Sequence, residues 1–369
     1  MSGISRFRQT VSEAKRSLRP IRDAALDYIK SPHPRVAGRN GHVHAQFTKR
    51  GNWQRYYIPL LACFERAGYS VSLWPSASFL DTPPSEQFGL FRIPWLRVSP
   101  SSSISDILLT DSPAIASRAK QQRVCLLVED HNRQELASHE TRLPVLMHPK
   151  MYLSKDWEQA RKRAGTNAPR NIRLTLAGNL DPTSYDSIEL VTRYSVMTRA
   201  AIVRSLAQTH GDACLWIRTW DEKTLLQSNR HPIVIVDSYK AGLGPDEYFE
   251  LLARSEFFLA VPGLNMPNCH NLAESLSVGC VPVVQSPEWR APLPLVAMVN
   301  CVTFDSPASI ARAVDFTLHA TGEQIGAMRD RVVSMSREFL EPEGFIARIM
   351  ENVERLRGRN TILLVQPDG

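Results

Sequence analysis

The residues best suited to chemistry follow an apolar run from Phe257 to Val261. The run stops at Pro262-Gly263, and the polar loop after it contains Asn265 and Asn268. The next segment has the apolar spacing of a helix from Asn268 to Val278. The N–H groups in the first turn of a helix lack partners within the helix and carry partial positive charge, so they bind phosphate readily. The segment therefore predicts an anion site where a buried strand ends and a helix begins.

Two polar side chains of this predicted helix share one face. His270 and Glu274 are four residues apart, whereas Leu272 and Leu276 lie on roughly the opposite face. The leucines can pack against a core while the imidazole and the carboxylate point toward the loop.

Polar groups also follow two other apolar runs. Glu129-Asp130-His131 comes after the run from Val124 to Val128, and Gly178-Asn179 comes after the run from Ile172 to Ala177. Open α/β sheets bind ligands outside the carboxyl ends of their strands. Both groups are therefore candidates for ligand contact.

Short apolar runs of this kind alternate with helix patterns along most of the chain, which is typical of an α/β fold with buried parallel strands. The predicted strands are 70–74, 106–110, 124–128, 172–177, 214–220, 233–236, 257–261 and 281–284. The predicted helices are 53–67, 114–122, 194–208, 246–254 and 268–278. Gly68 and Gly279 stand at helix C-termini, where a left-handed residue is favoured.

The chain has 369 residues, of which 43% are hydrophobic, and this is enough material for two cores. A charged fraction of 22% excludes fibrous and disordered classes. We expect two doubly wound, Rossmann-like domains. The predicted divisions are a basic helical arm at 1–35, an N-terminal Rossmann-like domain at 36–165, a C-terminal Rossmann-like domain at 166–340, and a C-terminal helix and tail at 341–369.

The block from 248 to 285 resembles the nucleotide-sugar half of GT-B glycosyltransferases and is most similar to the exostosin-like group. The shared pattern is a strand ending in Pro-x-Gly, a loop, a helix with a basic residue and a glutamate, and then Gly-Cys-x-Pro-Val. In this chain the corresponding residues are Pro262-Gly263, His270, Glu274 and 279–283. The close match covers about forty residues, and residues 170–340 fit more loosely. The resemblance implies a GT-B-like fold whose two domains face a central cleft.

The same resemblance implies roles for individual residues. Glu274 would bind the donor ribose, and His270, where the family often has arginine, would lie near the donor phosphates. A phosphate-binding cation is expected on the helix after the first strand of this half, which means Arg199 or Arg193. The other predicted donor-side residues are Gly178, Asn179, Lys240, Pro262, Gly263, Asn268 and Asn271.

Metal-dependent GT-A transferases carry an Asp-x-Asp motif, and this sequence has none. We therefore expect transfer without a metal and without any cofactor other than the nucleotide-sugar substrate. Arginine, lysine and a helix N-terminus would stabilise the charge that develops on the departing nucleoside phosphate.

An inverting transfer needs a general base for the acceptor hydroxyl, and the acceptor is expected to bind to the N-terminal half. Asp130 and His131 are the preferred candidates, and Glu129, His42 and His44 are the alternatives. The segment with His42 and His44 is interpreted as a polar surface loop. A His-x-His pair could bind a metal ion, but no third and fourth ligands lie nearby in the sequence.

The net charge of +7 is concentrated at the N-terminus. Residues 1–55 contain twelve Lys or Arg and three Asp or Glu, which leaves 32 basic and 34 acidic residues in the rest of the chain. A basic arm of this kind is either a solvated helix or a contact for an anionic membrane surface. Nucleic-acid binding is not expected, because the basic excess is confined to the arm and no nucleic-acid motif accompanies it.

The six cysteines contain no Cys-x-x-Cys pair, so we expect reduced thiols. No apolar run reaches membrane-spanning length, and the first thirty residues are too charged for a signal sequence, so the expected location is the cytoplasm.

The leading interpretation is a glycosyltransferase that acts on a glycan or lipid-linked glycan in bacterial surface polysaccharide assembly. An epimerase or hydrolase of nucleotide sugars and a non-catalytic glycan- or nucleotide-binding protein are the alternatives.

Overall fold

The computed structural model describes residues 39–48, 54–75, 95–99, 105–119, 124–130, 137–152, 157, 159, 162, 170–219, 231–264, 266–285, 292–356 and 361–365. The chain divides into two compact units. The first contains residues 1–51 and 64–128, and the second contains residues 52–63 and 129–369. The predicted domain boundary at 165 stays a prediction, because most residues around it lie outside the described part. The arm at 1–35 lies outside it as well.

The first unit contains five strands in the order β3-β2-β1-β4-β5, and every neighbouring pair is parallel. The strands are β1 (His42–Phe47), β2 (Ser70–Pro75), β3 (Arg97–Val98), β4 (Ile107–Thr110) and β5 (Val124–Asp130). Helix α1 (Gln54–Arg66) precedes β2, and its residues up to Cys63 belong to the second unit. Helix α2 (Pro113–Arg118) lies between β4 and β5. Gly68 has the predicted left-handed conformation after α1, with φ of 89°.

The second unit contains a six-stranded parallel sheet in the order β12-β11-β10-β7-β9-β8. Its strands are β7 (Ile172–Gly178), β8 (Cys214–Ile217), β9 (His231–Asp237), β10 (Ser255–Ala260), β11 (Val281–Gln285) and β12 (Val302–Phe304). The first strand is central, and later strands lie on both sides of it, so the sheet is doubly wound. The strand order reverses between β7 and β10, which is where such sheets bind ligands.

The helices of the second unit are α3 (Pro149–Tyr152), α4 (Ile188–Tyr194), α5 (Arg199–His210), α6 (Pro245–Ala253), α7 (His270–Ser277), α8 (Pro307–His319), α9 (Gly322–Phe339) and α10 (Pro342–Arg355). Strands β6 (Glu140–Arg142) and β13 (Thr361–Val365) pair in parallel in the same unit. The predicted α/β class with two parallel, Rossmann-like sheets is confirmed. The described helices include none that is long and apolar enough to cross a membrane.

The prediction of a surface loop at His42 and His44 is wrong, because both residues belong to β1. His44 is buried, and its Nδ1 lies 2.8 Å from the hydroxyl oxygen of Ser72. Burial, with a further effect from His42, lowers the pKa of His44 to about 4. The sequence did not predict this strand, because two histidines interrupt its apolar pattern. In the fold, the hydroxyl group of Ser72 on the neighbouring strand is a hydrogen-bond partner for both histidines.

The helix predicted at 194–208 is wrong at its start. Tyr194 ends α4, and Ser195 adopts a left-handed conformation with φ of 53°. Helix α5 then begins at Arg199 with Thr198 as its N-cap, whose side chain accepts a hydrogen bond from the N–H of Ala201. The capping preference of threonine overrides the continuous apolar pattern and breaks the predicted helix in two.

A buried arginine fixes one end of α7 relative to the sheet. Arg170 donates through Nη1 to the carbonyl of Ser255, at the start of β10, over 2.5 Å. It also donates through Nη2 to the carbonyl of Val278, just after α7, over 2.7 Å. Gly279 follows with the predicted left-handed conformation, φ of 71°. None of the six cysteines, all in the described part, forms a disulfide.

A close approach at Gly344 sets the corner between α9 and α10. A Cβ atom at Gly344 would lie 2.0 Å from the carbonyl oxygen of Arg337 and 3.1 Å from Cα of Glu338. Both are backbone atoms, which cannot turn away as a side chain can. A Cβ at Gly326, in the interior of α9, meets nothing within 4 Å.

Gly344→Ala should therefore destabilise the protein by about 1–3 kcal/mol through overpacking. The control, Gly326→Ala, should stabilise it by about 0.5–1 kcal/mol because alanine loses less backbone entropy in a helix. Urea unfolding of the two variants beside the parent measures both values. Equal midpoints for the two variants would contradict the assignment of this close contact.

Candidate functional site

A cavity of about 460 Å³ lies in the second unit, at the carboxyl ends of β7 and β10. This is the point where the strand order of the sheet reverses. The cavity is lined by His148, Met151, Ala177, Gly178, Asn179, Tyr185, Arg199, Ser238, Leu243, Tyr248, Gly263, Leu264, Cys269, His270, Asn271 and Glu274.

The N-terminus of α7 forms one wall of this cavity. Cys269 is its N-cap and makes no side-chain capping hydrogen bond, and the helix has no acidic residue in its first turn. The partial positive charge of this end is therefore not offset by a side chain of the helix itself. His270 is buried, and its Nδ1 donates to the carbonyl of Leu146 over 2.5 Å, which fixes the orientation of the ring.

Arg199 connects the loops that follow β7 and β10. Its Nη1 donates to the carbonyl of Asn179 over 2.7 Å. Its Nε and Nη2 both donate to the carbonyl of Pro262, over 3.1 and 2.7 Å. One guanidinium thereby joins the two loops, and only 4% of the residue is exposed.

The positive charge of Arg199 stays available to the cavity. Its hydrogen-bond acceptors are two neutral carbonyls and the sulfur of Cys269, which lies 3.7 Å from Nη2. The ring of Tyr185 lies under the guanidinium, with 3.9 Å between the guanidinium carbon and the ring centre. A buried cation that donates only to neutral groups attracts an anionic ligand.

Glu274 is buried in the cavity wall and held by two hydrogen-bond donors. The backbone N–H of His148 donates to its Oε1 over 3.0 Å, and the hydroxyl of Tyr248 donates to the same carboxyl group. Burial raises the pKa of Glu274, although His270 and both donors act in the opposite direction. Burial, with Glu274 nearby, raises the pKa of Tyr248 well above its ordinary value. Both donors fix the position of the carboxyl group in the cavity wall.

Three aromatic rings meet beside Glu274. The rings of His148 and His270 are edge-to-face with centres 5.6 Å apart, and the ring of Tyr56 on α1 lies 5.9 Å from His270. The backbone N–H of Lys150 donates to Nδ1 of His148 over 3.3 Å. Because Nδ1 accepts this hydrogen bond, a neutral His148 carries its proton on Nε2.

Seven of the predicted donor-side residues line the cavity together. They are Gly178, Asn179, Arg199, Gly263, His270, Asn271 and Glu274. Among the described residues, Pro262 and Asn268 do not line it, but the carbonyl of Pro262 is an acceptor for Arg199.

Two predicted cations lie elsewhere. Arg193 is half exposed on α4 and forms a 3.0 Å ion pair with Glu189, one turn away. Lys240 has a side chain that is 69% exposed, and its Nζ lies 3.5 Å from Asp237. Of the two arginines left open by the sequence, the structure brings Arg199 to the cavity.

The predicted general bases lie at the edge of the described part. Asp130 ends β5, and its backbone alone is described. His131 and Asn265 lie outside the described residues. The roles proposed for Asp130 and His131 stay predictions. Among described residues, no group of three or more His, Cys, Asp and Glu is arranged to hold a metal ion.

Sequence reasoning missed His148, Tyr185 and Tyr248. His148 lies in an irregular segment before α3, and Tyr185 lies in the loop between β7 and α4. The position of Tyr248, on a helix directly before β10, was a hint that it could lie near the site. A tyrosine at such a position is equally often a core residue. Only the folded arrangement shows that its hydroxyl bonds to Glu274.

Comparison with known proteins places the chain near solved α/β structures at low similarity. A glycosyltransferase from Rickettsia africae has a TM-score of 0.49 at 10% identity, covering 87% of this chain and all of that one. Anabaena HepE in complex with UDP and glucose has a TM-score of 0.44 at 12% identity, covering 84% and 99%. The sucrose-phosphate synthase of Thermosynechococcus elongatus has a TM-score of 0.47 at 10% identity, covering 85% and 99%.

No protein-family model matches the chain, and no curated protein sequence matches it.

Arg199→Lys keeps the charge but cannot reach both carbonyls with a planar group. At least one of the carbonyls of Asn179 and Pro262 then loses its donor, and an unsatisfied buried acceptor costs about 1–3 kcal/mol. Urea unfolding should show this loss, whereas Arg193→Lys, at an exposed ion pair, should change stability by less than about 0.5 kcal/mol. Equal, small effects would rule out Arg199 as the connection between the two loops.

The Glu274→Gln variant should gain stability relative to the wild type as pH rises. Because the folded-state pKa of Glu274 is raised above 4.5, the unfolded chain loses this proton first. The free energy of unfolding of the wild type, compared with that of the Glu274→Gln variant, therefore falls as pH rises from the ordinary glutamate range through the folded-state pKa. Urea midpoints of both proteins at about pH 4 and about pH 7 test this sign. A difference that does not change with pH would contradict it.

Proposed function

We propose that the chain is a glycosyltransferase and that the cavity binds its nucleotide-sugar donor. The observation that carries this proposal is the combination of two kinds of group in one cavity. The N-terminus of α7 and Arg199 attract an anion, while Glu274 carries carboxyl oxygens that can accept hydrogen bonds from hydroxyl groups. A nucleoside diphosphate sugar contains both kinds of partner in a single molecule.

Transfer breaks the bond between the sugar's anomeric carbon and the diphosphate and forms a bond to the acceptor oxygen. The leaving nucleoside diphosphate gains negative charge, and preorganised N–H groups and a cation stabilise it without reorganising. In this cavity the α7 N-terminus and Arg199 fill that role. The acceptor's proton goes to a general base, for which Asp130 and His131 remain the candidates.

We further propose that the reaction needs no metal ion, because Arg199 and the helix end supply positive charge at the cavity. The acceptor we favour is a glycan or lipid-linked glycan of bacterial surface polysaccharide assembly, such as lipopolysaccharide, O-antigen or capsule. The support for a lipid-linked acceptor is the basic composition of residues 1–55, which suits an anionic bilayer. The exostosin-like pattern of residues 262–283 supports transfer as the reaction.

The donor site is tested by thermal shift and hydrolysis with UDP-glucose, GDP-mannose, CMP and dTDP sugars, with and without EDTA. One nucleotide sugar should stabilise the wild type in EDTA. Glu274→Ala should lose this effect, whereas Glu323→Ala, an exposed carboxylate on α9, should keep it.

A response to no donor would overturn the proposed function. Donor consumption without a glycan product, even with acceptor present, would favour a hydrolase or epimerase. Stabilisation that EDTA abolishes would refute the metal-independent mechanism alone.

The membrane contact is tested by sedimentation of the full chain with vesicles of anionic phospholipid at low salt. Deletion of residues 1–30 should abolish most of the binding, and raised salt should weaken binding of the full chain. Unchanged binding after the deletion would refute this role for the arm.

A further inference from the structure

A second cavity lies in the second unit, bounded by strand β6, the end of α9 and one face of α10. Its volume is about 240 Å³, and it shares no lining residue with the cavity proposed for the donor. Three arginines line it, and we call it the arginine cavity. Another part of its wall is apolar and consists of Leu143, Pro144, Pro292, Phe339, Phe345 and Ile349.

The charged residues of this wall favour an anion. The arginines are Arg142, Arg348 and Arg355, and within the described part of the chain Glu140 is the one acidic residue that lines the cavity. Oε2 of Glu140 accepts a hydrogen bond from the backbone N–H of Ala137 over 2.7 Å, so this oxygen is engaged in its own turn. Because three guanidinium groups outnumber one carboxylate, the wall carries net positive charge.

The surroundings of the guanidinium groups leave part of this charge for a ligand. Nη2 of Arg355 donates to Oδ1 of Asn352, another lining residue, over 2.8 Å. This acceptor is neutral and does not offset the charge of Arg355. Burial lowers the pKa of Arg142, because its charged form loses hydration. A bound anion would compensate for that loss.

Arg348 links the charged and apolar parts of the wall. It forms an ion pair with Glu338, and its guanidinium carbon lies 4.0 Å from the ring centre of Phe339. The ion pair is at the surface, with 40% of the Arg348 side chain and 55% of the Glu338 side chain exposed. Surface pairs of this kind are weak, so the pair does not prevent Arg348 from meeting another anion.

The apolar part of the wall sets the size of the ligand. Phe345 and Ile349 are buried, with 3% and 1% of their surface exposed. An apolar cavity of about 150 Å³ holds one benzene molecule. A volume of about 240 Å³ therefore has space for one ring and one acidic group. It is below the range of about 300–1,000 Å³ in which larger ligands bind.

We propose that the arginine cavity binds a small amphipathic anion, which is a carboxylate or phosphate ester on a body about the size of one ring. The acidic group pairs with the guanidinium groups, and the ring packs against the apolar part of the wall. This inference goes beyond the proposed function, because nothing in it depends on a nucleotide sugar.

NMR titrations of the full chain test the proposal with phenyl phosphate as the probe. Benzyl alcohol has the same ring without the charge, and inorganic phosphate has the charge without the ring. Phenyl phosphate or benzoate should bind at least about tenfold more tightly than either, because each of these compounds lacks one of the two kinds of contact. The tighter of the two anions identifies the preferred acidic group.

Two variants locate the binding. Arg355→Gln removes one guanidinium and should weaken the anion that the wild type binds by about tenfold or more. Asn352→Phe adds a ring at a half-buried lining position and should block the cavity. The matched control is Arg312→Gln, an exposed arginine of α8 outside the cavity, which changes the net charge equally. It should leave the affinity within about twofold of the wild type.

Urea midpoints close to that of the wild type would establish that the variants are folded. Equal affinity for phenyl phosphate, benzoate, benzyl alcohol and inorganic phosphate, or no binding of any of them, would overturn the proposal. Unchanged binding in both Arg355→Gln and Asn352→Phe would also overturn it, because the probe would then bind elsewhere. An equal loss in Arg312→Gln would reduce the effect to net charge and overturn it as well. Each of these results leaves the proposed function intact, since that function is tested with nucleotide sugars.

Discussion

The candidate site depends on one guanidinium that joins the loops after two neighbouring strands. Arg199 donates to carbonyls after β7 and after β10, which are the two strands that flank the reversal of strand order. Parallel strands end in loops, and nothing in the sheet itself fixes the separation of those loops. Arg199 supplies that constraint from α5, and because its acceptors are neutral, the same group leaves a positive charge in the cavity it shapes.

The wall of the cavity separates into regions of different chemistry. Positive groups come from α5 and the start of α7, whereas the carboxyl of Glu274 and the amide of Asn271 lie further along the first turns of α7. A carboxyl and a guanidinium placed in direct contact would neutralise each other and bind nothing else. Glu274 instead accepts hydrogen bonds from Tyr248 and from the backbone of His148. The positive charge of Arg199 therefore stays available to a ligand.

The sequence predicted the sheet-forming runs and the site residues that adjoin them, because buried parallel strands are continuous apolar segments and their ends are punctuated by Gly, Pro and Asn. Strand β1 was missed, since the hydrogen bonds of His42 and His44 to Ser72 exist only between strands that are far apart in sequence. His148 was missed for the same reason: its contribution to Glu274 is a backbone N–H, which no residue type reveals. The choice between Arg193 and Arg199 needed the break at Ser195, which turns the two residues onto different helices.

Strand β10 and helix α7 are held by an arginine at each end. Both arginines support the fold, but they differ in whether they can also bind a ligand. Arg170 joins the start of β10 to the residue after α7, while Arg199 joins the loop after β10 to the start of α7. Both bury their charge against main-chain carbonyls, so both stabilise the same strand–helix unit. Only Arg199 lines the cavity, at the helix end whose dipole also attracts anions. At the opposite end the helix carbonyls carry partial negative charge, and Arg170 complements that end of the helix dipole. The fold therefore uses the same interaction twice and leaves positive charge for a ligand only where the N-terminus of α7 meets the loop after β10.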